Sequence, residues 1–396
     1  MLSQTATTTV RATLPAIGAA IEEITALFYD KLFTAHPQLL RDLFNRGNQA
    51  AGTQRQALAG SIAAFAAHLV DRPDERPDAM LARIAHKHAS LGVTAGQYKV
   101  VHKHLFEAIV EVLGDAVTPE VAAGWDEVYW LMANALIALE DRLYAEHGVL
   151  KGDTWRDWEV AGRVEETAEV ATFRLRPADG RPVPAAKPGQ YVSVQVELPD
   201  GARQIRQYSL SSAPGSALRT IAVKRVGDGE VSQHLHAHVR EGDRLRISAP
   251  YGDLVLKDGD APVLLASAGI GCTPMVSMLE HLAATGRTAP VTVVHADRSP
   301  ATHPLRADHG ALAEKLPSAS AHFFYEHPEP GHPAGRTGLV DLADIEVADG
   351  TQAYLCGPLP FMRAVREQLL AKGVPAADIH YEVFGPDLWL AAAQES

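Results

Sequence analysis

The chain is poor in cysteine, carries no basic surplus and has no long apolar stretch. Two cysteines stand among 396 residues. That is too few for a disulfide framework, and it suits a reducing compartment. The formal net charge is −12, which argues against nucleic acid as the main partner, because phosphate binding needs a basic face. No uninterrupted apolar run approaches the ~18 residues that span a bilayer. The N-terminus lacks a basic stretch followed by an apolar one and a cleavage site, so no export signal is expected. These absences together predict a cytoplasmic protein. No repeats or low-complexity linkers occur. What is present suffices for ordinary folding: the hydrophobic content is 46%, enough for roughly two to four domains to bury a core each.

Three territories follow one another. From Leu2 to His147 the apolar spacing is helical. Ile21, Ile24, Phe28 and Leu32 recur at three and four, as do Leu58, Ile62, Phe65 and Leu69, and then Met132, Leu136, Leu139 and Leu143. Pro73, Pro77, Gly92 and Pro119 punctuate these runs. The spacing predicts an all-α domain over residues 1–147. Near Gly152 the pattern changes to short alternating runs, such as 192–196 and 219–224, with turn clusters between them. This predicts an antiparallel β-barrel over 152–258, with one short helix near Val231 to His238. From Pro262 onward, strand-like runs (291–295 and 353–356) alternate with helical ones (361–372). That alternation predicts an α/β domain over 261–396, a parallel sheet with helices on both faces. Residues 297–317 are the expected mobile loop.

Two motifs carry chemistry in the second and third territories. In Arg206-Gln207-Tyr208-Ser209-Leu210, the guanidinium can pair with a phosphate, the phenol ring can lie on a flat ring system, and the hydroxyl can bond a ring nitrogen. Those are the needs of a flavin. Downstream, Ala268-Gly269-Ile270-Gly271-Cys272-Thr273-Pro274 ends a strand-like run. Its glycines admit backbone close to a diphosphate, and a helix starting after Thr273-Pro274 would aim free N–H groups at that charge. In this order and spacing the two motifs resemble the ferredoxin-reductase-like module. Cys272 sits at a variable position in the loop and is assigned no chemistry. After the strand at 291–295, Asp297 could accept from a ribose hydroxyl, which favours NADH, whereas Arg298 and Ser299 could hold a phosphate.

The helical third is read through its histidines. His86 and His88 lie two apart and so face roughly opposite sides of a helix. His88 shares an apolar stripe with Leu81, Ile84 and Leu91, whereas His86 lies off it and is expected in solvent. Gln54 opens the stripe of Leu58, Ile62 and Phe65, and Tyr98 opens that of Val101 and Leu105. Glu140 falls in or near the stripe of Met132 and Leu136. A buried carboxylate needs a partner, and a ligand histidine donating from its second ring nitrogen would serve both groups.

The segments 28–30, 44–49, 54–58 and 84–88, with Gln97-Tyr98 and 133–140, resemble the globin domain of bacterial flavohemoglobins. With the reductase motifs, the similarity covers nearly the whole chain. The resemblance implies heme b, FAD and NADH or NADPH as cofactors. It makes His88 the proximal iron ligand, with Glu140 and Tyr98 bonded to its other side. Tyr29 and Gln54 would be the distal groups toward bound dioxygen. Phe44 would pack on the heme, Leu58 would limit access above the iron, and Lys87 would tune electron transfer. In the reductase, Tyr191 would lie along the flavin, and Arg206, Gln207, Tyr208 and Ser209 would hold it. Val383, Phe384, Gly385 and Pro386 resemble the segment covering the flavin; the family often has cysteine where Val383 stands. Gly269, Ile270, Gly271, Cys272, Thr273 and Pro274 would cradle the dinucleotide diphosphate. Cys356, Gly357 and Pro358 resemble the second nucleotide contact, with a thiol beside the nicotinamide. The implied activity is nitric oxide dioxygenation by a monomer, with electrons passing from NAD(P)H to FAD to heme. The small-molecule partners are then O2, NO and NAD(P)H. Alternatives are a heme-based gas sensor with an attached reductase, or a general flavin–heme reductase acting on peroxides or other acceptors.

Overall fold

We describe a computed structural model covering residues 1–75, 77–328 and 336–385. The first territory is helical: α1 Gln4–Ala35, α2 Pro37–Asp42, α3 Arg46–Ala50, α4 Thr53–Asp71, α5 Asp78–Leu91, α6 Ala95–Leu113 and α7 Pro119–Glu146. Ser3 caps α1 by accepting from the Ala6 N–H. Buried Val10, Ile17, Ile24, Phe28 and Leu32 line one side of α1, which packs on α4, α6 and α7. Each such side chain contributes about 1.5–3 kcal/mol by leaving water. Two local signals set the geometry that matters later. Gly92, at φ 78°, ends α5 just after His88; a Cβ there would stand 2.7 Å from the Gly152 carbonyl oxygen. The Thr94/Gln97 capping box then starts α6 and places Tyr98 in its first turn.

The second territory holds β1 Trp155–Glu165, β2 Val170–Pro177, β3 Tyr191–Glu197, β4 Arg203–Ser209, β5 Arg219–Lys224, α8 Glu230–His238 and β6 Arg244–Ser248. The sheet order is β4-β3-β6-β1-β2-β5, with β1/β2 and β2/β5 antiparallel. Leu210, just past β4, bridges Ile221 of β5, so the two outermost strands meet and the sheet closes as a barrel. The short helix expected near 231–238 is α8.

The third territory holds β7 Val263–Ala268, α9 Cys272–Ala284, β8 Val291–Asp297, α10 Arg306–Glu314, β9 Ala319–Tyr325, β10 Arg336–Thr337, β11 Gln352–Cys356, α11 Leu359–Ala371 and β12 Ile379–Glu382. Its sheet runs β10-β9-β8-β7-β11-β12, and its pairs are parallel. Strand order reverses at β7 and β11, which puts a crevice at their carboxyl ends. Two expectations are corrected here. Helix α9 begins at Cys272, so Thr273 and Pro274 lie inside its first turn rather than before it. The segment 297–317 is not a plain loop. It contains α10 and buries His303, Leu305, His309, Leu312 and Leu316; apolar residues at 305, 312 and 316 hold it against the sheet domain.

By compactness the chain divides into two units. One comprises Met1–Trp155 with Gln195–Ile205, and the other comprises Arg156–Val194 with Arg206–Phe384. Barrel and parallel sheet thus share most of one unit. In the first unit, fully buried Gln204 donates to the carbonyls of Leu40, Arg41 and Phe44, and Arg46 pairs with Asp200 at 2.6 Å. No helix among the described residues is long and apolar enough to cross a membrane.

Candidate functional site

Three helices converge on His88. Its Nδ1 lies 2.9 Å from the Tyr98 hydroxyl and 2.9 Å from Glu140 Oε1, and the Tyr98 hydroxyl donates to the same carboxylate oxygen. Glu140 is 1% exposed, so its charge needs these donors. Burial, reinforced by the Glu140 charge, holds the Tyr98 proton far above the usual phenol range. The one phenolic proton therefore goes to Glu140. His88 Nδ1 must then be the N–H donor, and the lone pair sits on Nε2. That tautomer fits a metal ligand, because iron binds the unprotonated nitrogen while the carboxylate fixes the other. His86, expected in solvent, is instead half-buried and has partners of its own. Its side of α5 is polar but not bare.

On α1, Tyr29 is buried, and burial pushes its phenol up to about 12 against hydrogen bonds from Gln54 and Gln49. It therefore remains a proton donor. Its ring stacks on Phe33 with centroids 5.5 Å apart and meets the Phe44 ring edge-on at 5.9 Å. Gln49 is a functional candidate not singled out from sequence. Its side-chain amide stands with that of Gln54 against the Tyr29 phenol. The signal available was its place one α-helical turn and a loop before Gln54. Leu58 is half-buried against the helical core. Lys87 is half-buried with partners of its own.

In the second unit, Tyr191 of β3 is buried, and a Cβ at Gly252 would lie 3.1 Å from its ring. On β4, Gln207 donates to Ser193 Oγ at 2.9 Å, and Arg206 has partners of its own. Burial raises the Tyr208 phenol, with the Arg206 charge opposing. Ser209 Oγ is buried with no hydrogen-bond partner among the described residues. An orphaned hydroxyl at the end of a motif with flavin chemistry fits a bound flavin. Phe384 is 47% exposed, free to cover a planar ring, with Val383 half-buried beside it and Gly385 exposed. Pro386 lies outside the described residues.

Backbone makes the dinucleotide cradle. Register pairs Ser267 of β7 with Cys356 of β11, so the loops after both strands come together. A Cβ on Gly271 would stand 2.3 Å from the Cys356 carbonyl oxygen, and one on Gly357 would meet Phe361 at 2.9 Å and Ala268 at 3.1 Å. Only glycine permits this approach. Gly269 has φ 53°, and Gly269–Gly271 forms one tight turn containing Ile270 before α9. Thr273 donates back to the Ile270 carbonyl at 3.1 Å. The first turn of α9 contains Pro274, and Pro358 precedes α11, so two helix N-termini follow the paired loops and offer N–H groups to an anion. Both cysteines are fully buried, and burial raises both thiols. Cys272 Sγ meets the Pro304 carbonyl, so this residue offers a ligand only its backbone.

The Globin family matches residues 26–136, the oxidoreductase FAD-binding domain residues 158–256, and the oxidoreductase NAD-binding domain residues 265–367. The chain is 40% identical to a flavohemoprotein of Rhizobium meliloti, over 98% of this chain and 100% of that one. It is 41% identical to a flavohemoprotein of Chromobacterium violaceum, over 97% and 98%. Its fold is similar to that of the flavohemoglobin from Malassezia yamatoensis, solved with bound FAD and heme, with a TM-score of 0.90 at 37% identity over 97% and 100% of the two chains. It also matches the FAD/NAD-binding domain of a nitric oxide dioxygenase from Vibrio cholerae, with a TM-score of 0.55 at 38% identity over 58% and 99%.

Proposed function

The chain belongs to the flavohemoprotein family, and from that premise we propose that it is an NAD(P)H-dependent nitric oxide dioxygenase, an oxidoreductase turning nitric oxide and dioxygen into nitrate. Its cofactors are heme, FAD and a nicotinamide dinucleotide. When bound, they supply hydride acceptance, one-electron transfer and an iron centre for dioxygen.

The observation that carries the reading is the His88–Tyr98–Glu140 cluster. His88 Nε2 would hold the iron. Glu140 accepts from Nδ1 at 2.9 Å, which gives the imidazole partial anionic character and strengthens its donation. Tyr98 fixes the carboxylate, so the ring cannot turn. This is a stronger push than reversible oxygen storage requires. Tyr29, protonated throughout the physiological range, would offer its proton to a small polar substrate in the pocket, with Gln54 and Gln49 orienting the phenol. Phe44 holds the Tyr29 ring by its edge contact. Leu58 and Lys87 would shape the pocket on either side.

Arg206 would neutralise the FAD phosphate, Ser209 Oγ would bond the flavin ring, and Phe384 would cover it. The loops at Gly269–Gly271 and Gly357 would admit the nicotinamide diphosphate. Asp297 turns inward, its Oδ1 accepting from the Arg298 N–H at 2.7 Å and from Thr302 Oγ1 at 2.5 Å, so neither NADH nor NADPH is favoured by it alone. We place the domain boundaries at 1–147, 152–258 and 261–396; the three family matches fall inside these spans. One chain carries the whole electron path, so the reading needs no second copy. Two free thiols fit a reducing cytoplasm.

The test is nitric oxide added to the aerobic holoenzyme with NADH. The expected result is nitrate formed in step with NADH oxidation. No nitrate above a protein-free control would remove the dioxygenase reading.

A further inference from the structure

Three histidines given no part in holding a cofactor converge within the second unit. His295 lies on β8, His303 in the connection after it, and His309 on α10. They are 0%, 3% and 0% exposed. One ring nitrogen from each lies within 4.8 Å of the others. The His295 and His303 rings stack with centroids 3.9 Å apart. His303 Nε2 is 2.9 Å from His309 Nδ1.

The remaining contacts are uneven. His295 Nδ1 meets Ser267 Oγ at 2.9 Å, and His303 Nδ1 meets the Tyr325 hydroxyl at 2.9 Å. His295 Nε2 and His309 Nε2 are buried with no hydrogen-bond partner among the described residues. Asp297 Oδ2 stands 3.7 Å from His295 Nε2, beyond hydrogen-bond reach. An orphaned imidazole nitrogen on His295 within a closed cluster calls for a missing partner. Burial drives all three histidines toward the neutral form, the form that presents a lone pair.

Ligands held ~2.0–2.1 Å from a tetrahedral zinc lie roughly 3.3 Å from one another. The His303–His309 separation of 2.9 Å and the His295–Asp297 separation of 3.7 Å bracket that spacing. We propose that His295, His303 and His309 form a buried site for a divalent transition ion, zinc by its chemistry, with Asp297 as fourth ligand. Imidazole and carboxylate without thiolate suit this borderline ion. His295 and His303 would ligate through Nε2, because each Nδ1 already faces a hydroxyl that can accept its proton. Those hydroxyls, on Ser267 and Tyr325, are the outer partners a zinc-bound histidine uses. The bound ion would replace the His303–His309 hydrogen bond. It would clip α10 and the connection before it to the end of β8. The site performs no redox step.

Full-length holoenzyme is treated with a chelator, loaded with Zn2+, desalted and assayed for zinc per chain by elemental analysis. One zinc per chain is expected in the wild type. His303→Gln and His309→Gln should weaken zinc retention by about tenfold or more, while His327→Gln, on an exposed side chain, should not. Wild-type protein retaining no more zinc than the two cluster variants would overturn the site, as would variants that keep the full wild-type amount. Heme and flavin absorbance reports whether each variant is folded. Should the variants fail to fold, zinc-edge absorption on the wild type decides. A shell of about three imidazoles near 2.0 Å supports the site, and an oxygen-dominated shell refutes it.

Discussion

The helical territory builds its site from side chains, whereas the parallel-sheet territory builds one from their absence. Around His88, two donors from two helices share one buried carboxylate oxygen from a third. Around Gly271 and Gly357, two loops approach so closely that a methyl group would strike backbone at 2.3 Å or a neighbouring ring at 2.9 Å. The first site depends on protons and lone pairs, and so should respond to isosteric changes that alter hydrogen bonding. The second depends on volume, and so should respond to one added carbon of no chemical character. The contrast separates two ways in which a fold serves a cofactor: supplying charge, or clearing room for a charge that the cofactor brings.

The largest expected effect comes from His88→Ala. Heme content should fall at least tenfold, roughly, while flavin content stays unchanged; a pigment ratio from the absorption spectrum checks this. His86→Ala should leave heme in place, and the reverse outcome would overturn the assignment of α5. Next, Gly271→Ala should slow flavin reduction by NADH about a hundredfold, because an ångström of misplacement is enough for that loss. Stopped-flow bleaching of the flavin measures it, and an unchanged rate would end the idea of a volume-limited cradle. Glu140→Gln preserves shape and removes charge. Turnover should drop roughly ten- to a hundredfold with heme retained, and the ferric–ferrous potential should rise as donation weakens.

Smaller effects sharpen the comparison. Tyr29→Phe removes one donor and should slow nitrate formation about tenfold, with heme intact. The same variant carries a pH signature. The folded phenol sits at about 12 against an ordinary 10.0, so the folded state holds this proton more tightly than the unfolded chain. The stability from this group is full below pH 10 and is lost as pH climbs toward 12. Wild-type protein should therefore lose more stability over that interval than Tyr29→Phe in denaturant titrations. Smallest is Ser209→Ala, a severalfold change in flavin reduction. One neutral hydrogen bond contributes only about 1 kcal/mol.

Much of this was legible beforehand, for a local reason. Helical, alternating and strand–helix periods identify three territories because each pattern repeats within a few residues. The Gly269-Ile270-Gly271 and Arg206-to-Ser209 motifs are likewise contiguous. The segment 297–317 reads as loop because α10 is nine residues long, too short for a periodic signal, and its burial depends on a sheet built from distant strands. Gln49 is not legible in the sequence because nothing in its neighbours marks an amide that will face Tyr29. Gln204 is not legible either, because a polar residue on an alternating strand reads as solvent-facing, not as a buried donor to three carbonyls on the far earlier α2 region.

Sequence alone determined the three-part architecture and the order of flavin and nucleotide motifs, and set His88 rather than His86 on the apolar stripe of α5, since these follow from spacing along the chain. Only tertiary structure decided which proton His88 carries, which glycines cannot be replaced, and that His295, His303 and His309 meet. Those outcomes depend on atoms far apart in the chain coming within a few ångströms, where burial and hydrogen-bond geometry set the energies, and residue order does not encode such distances directly.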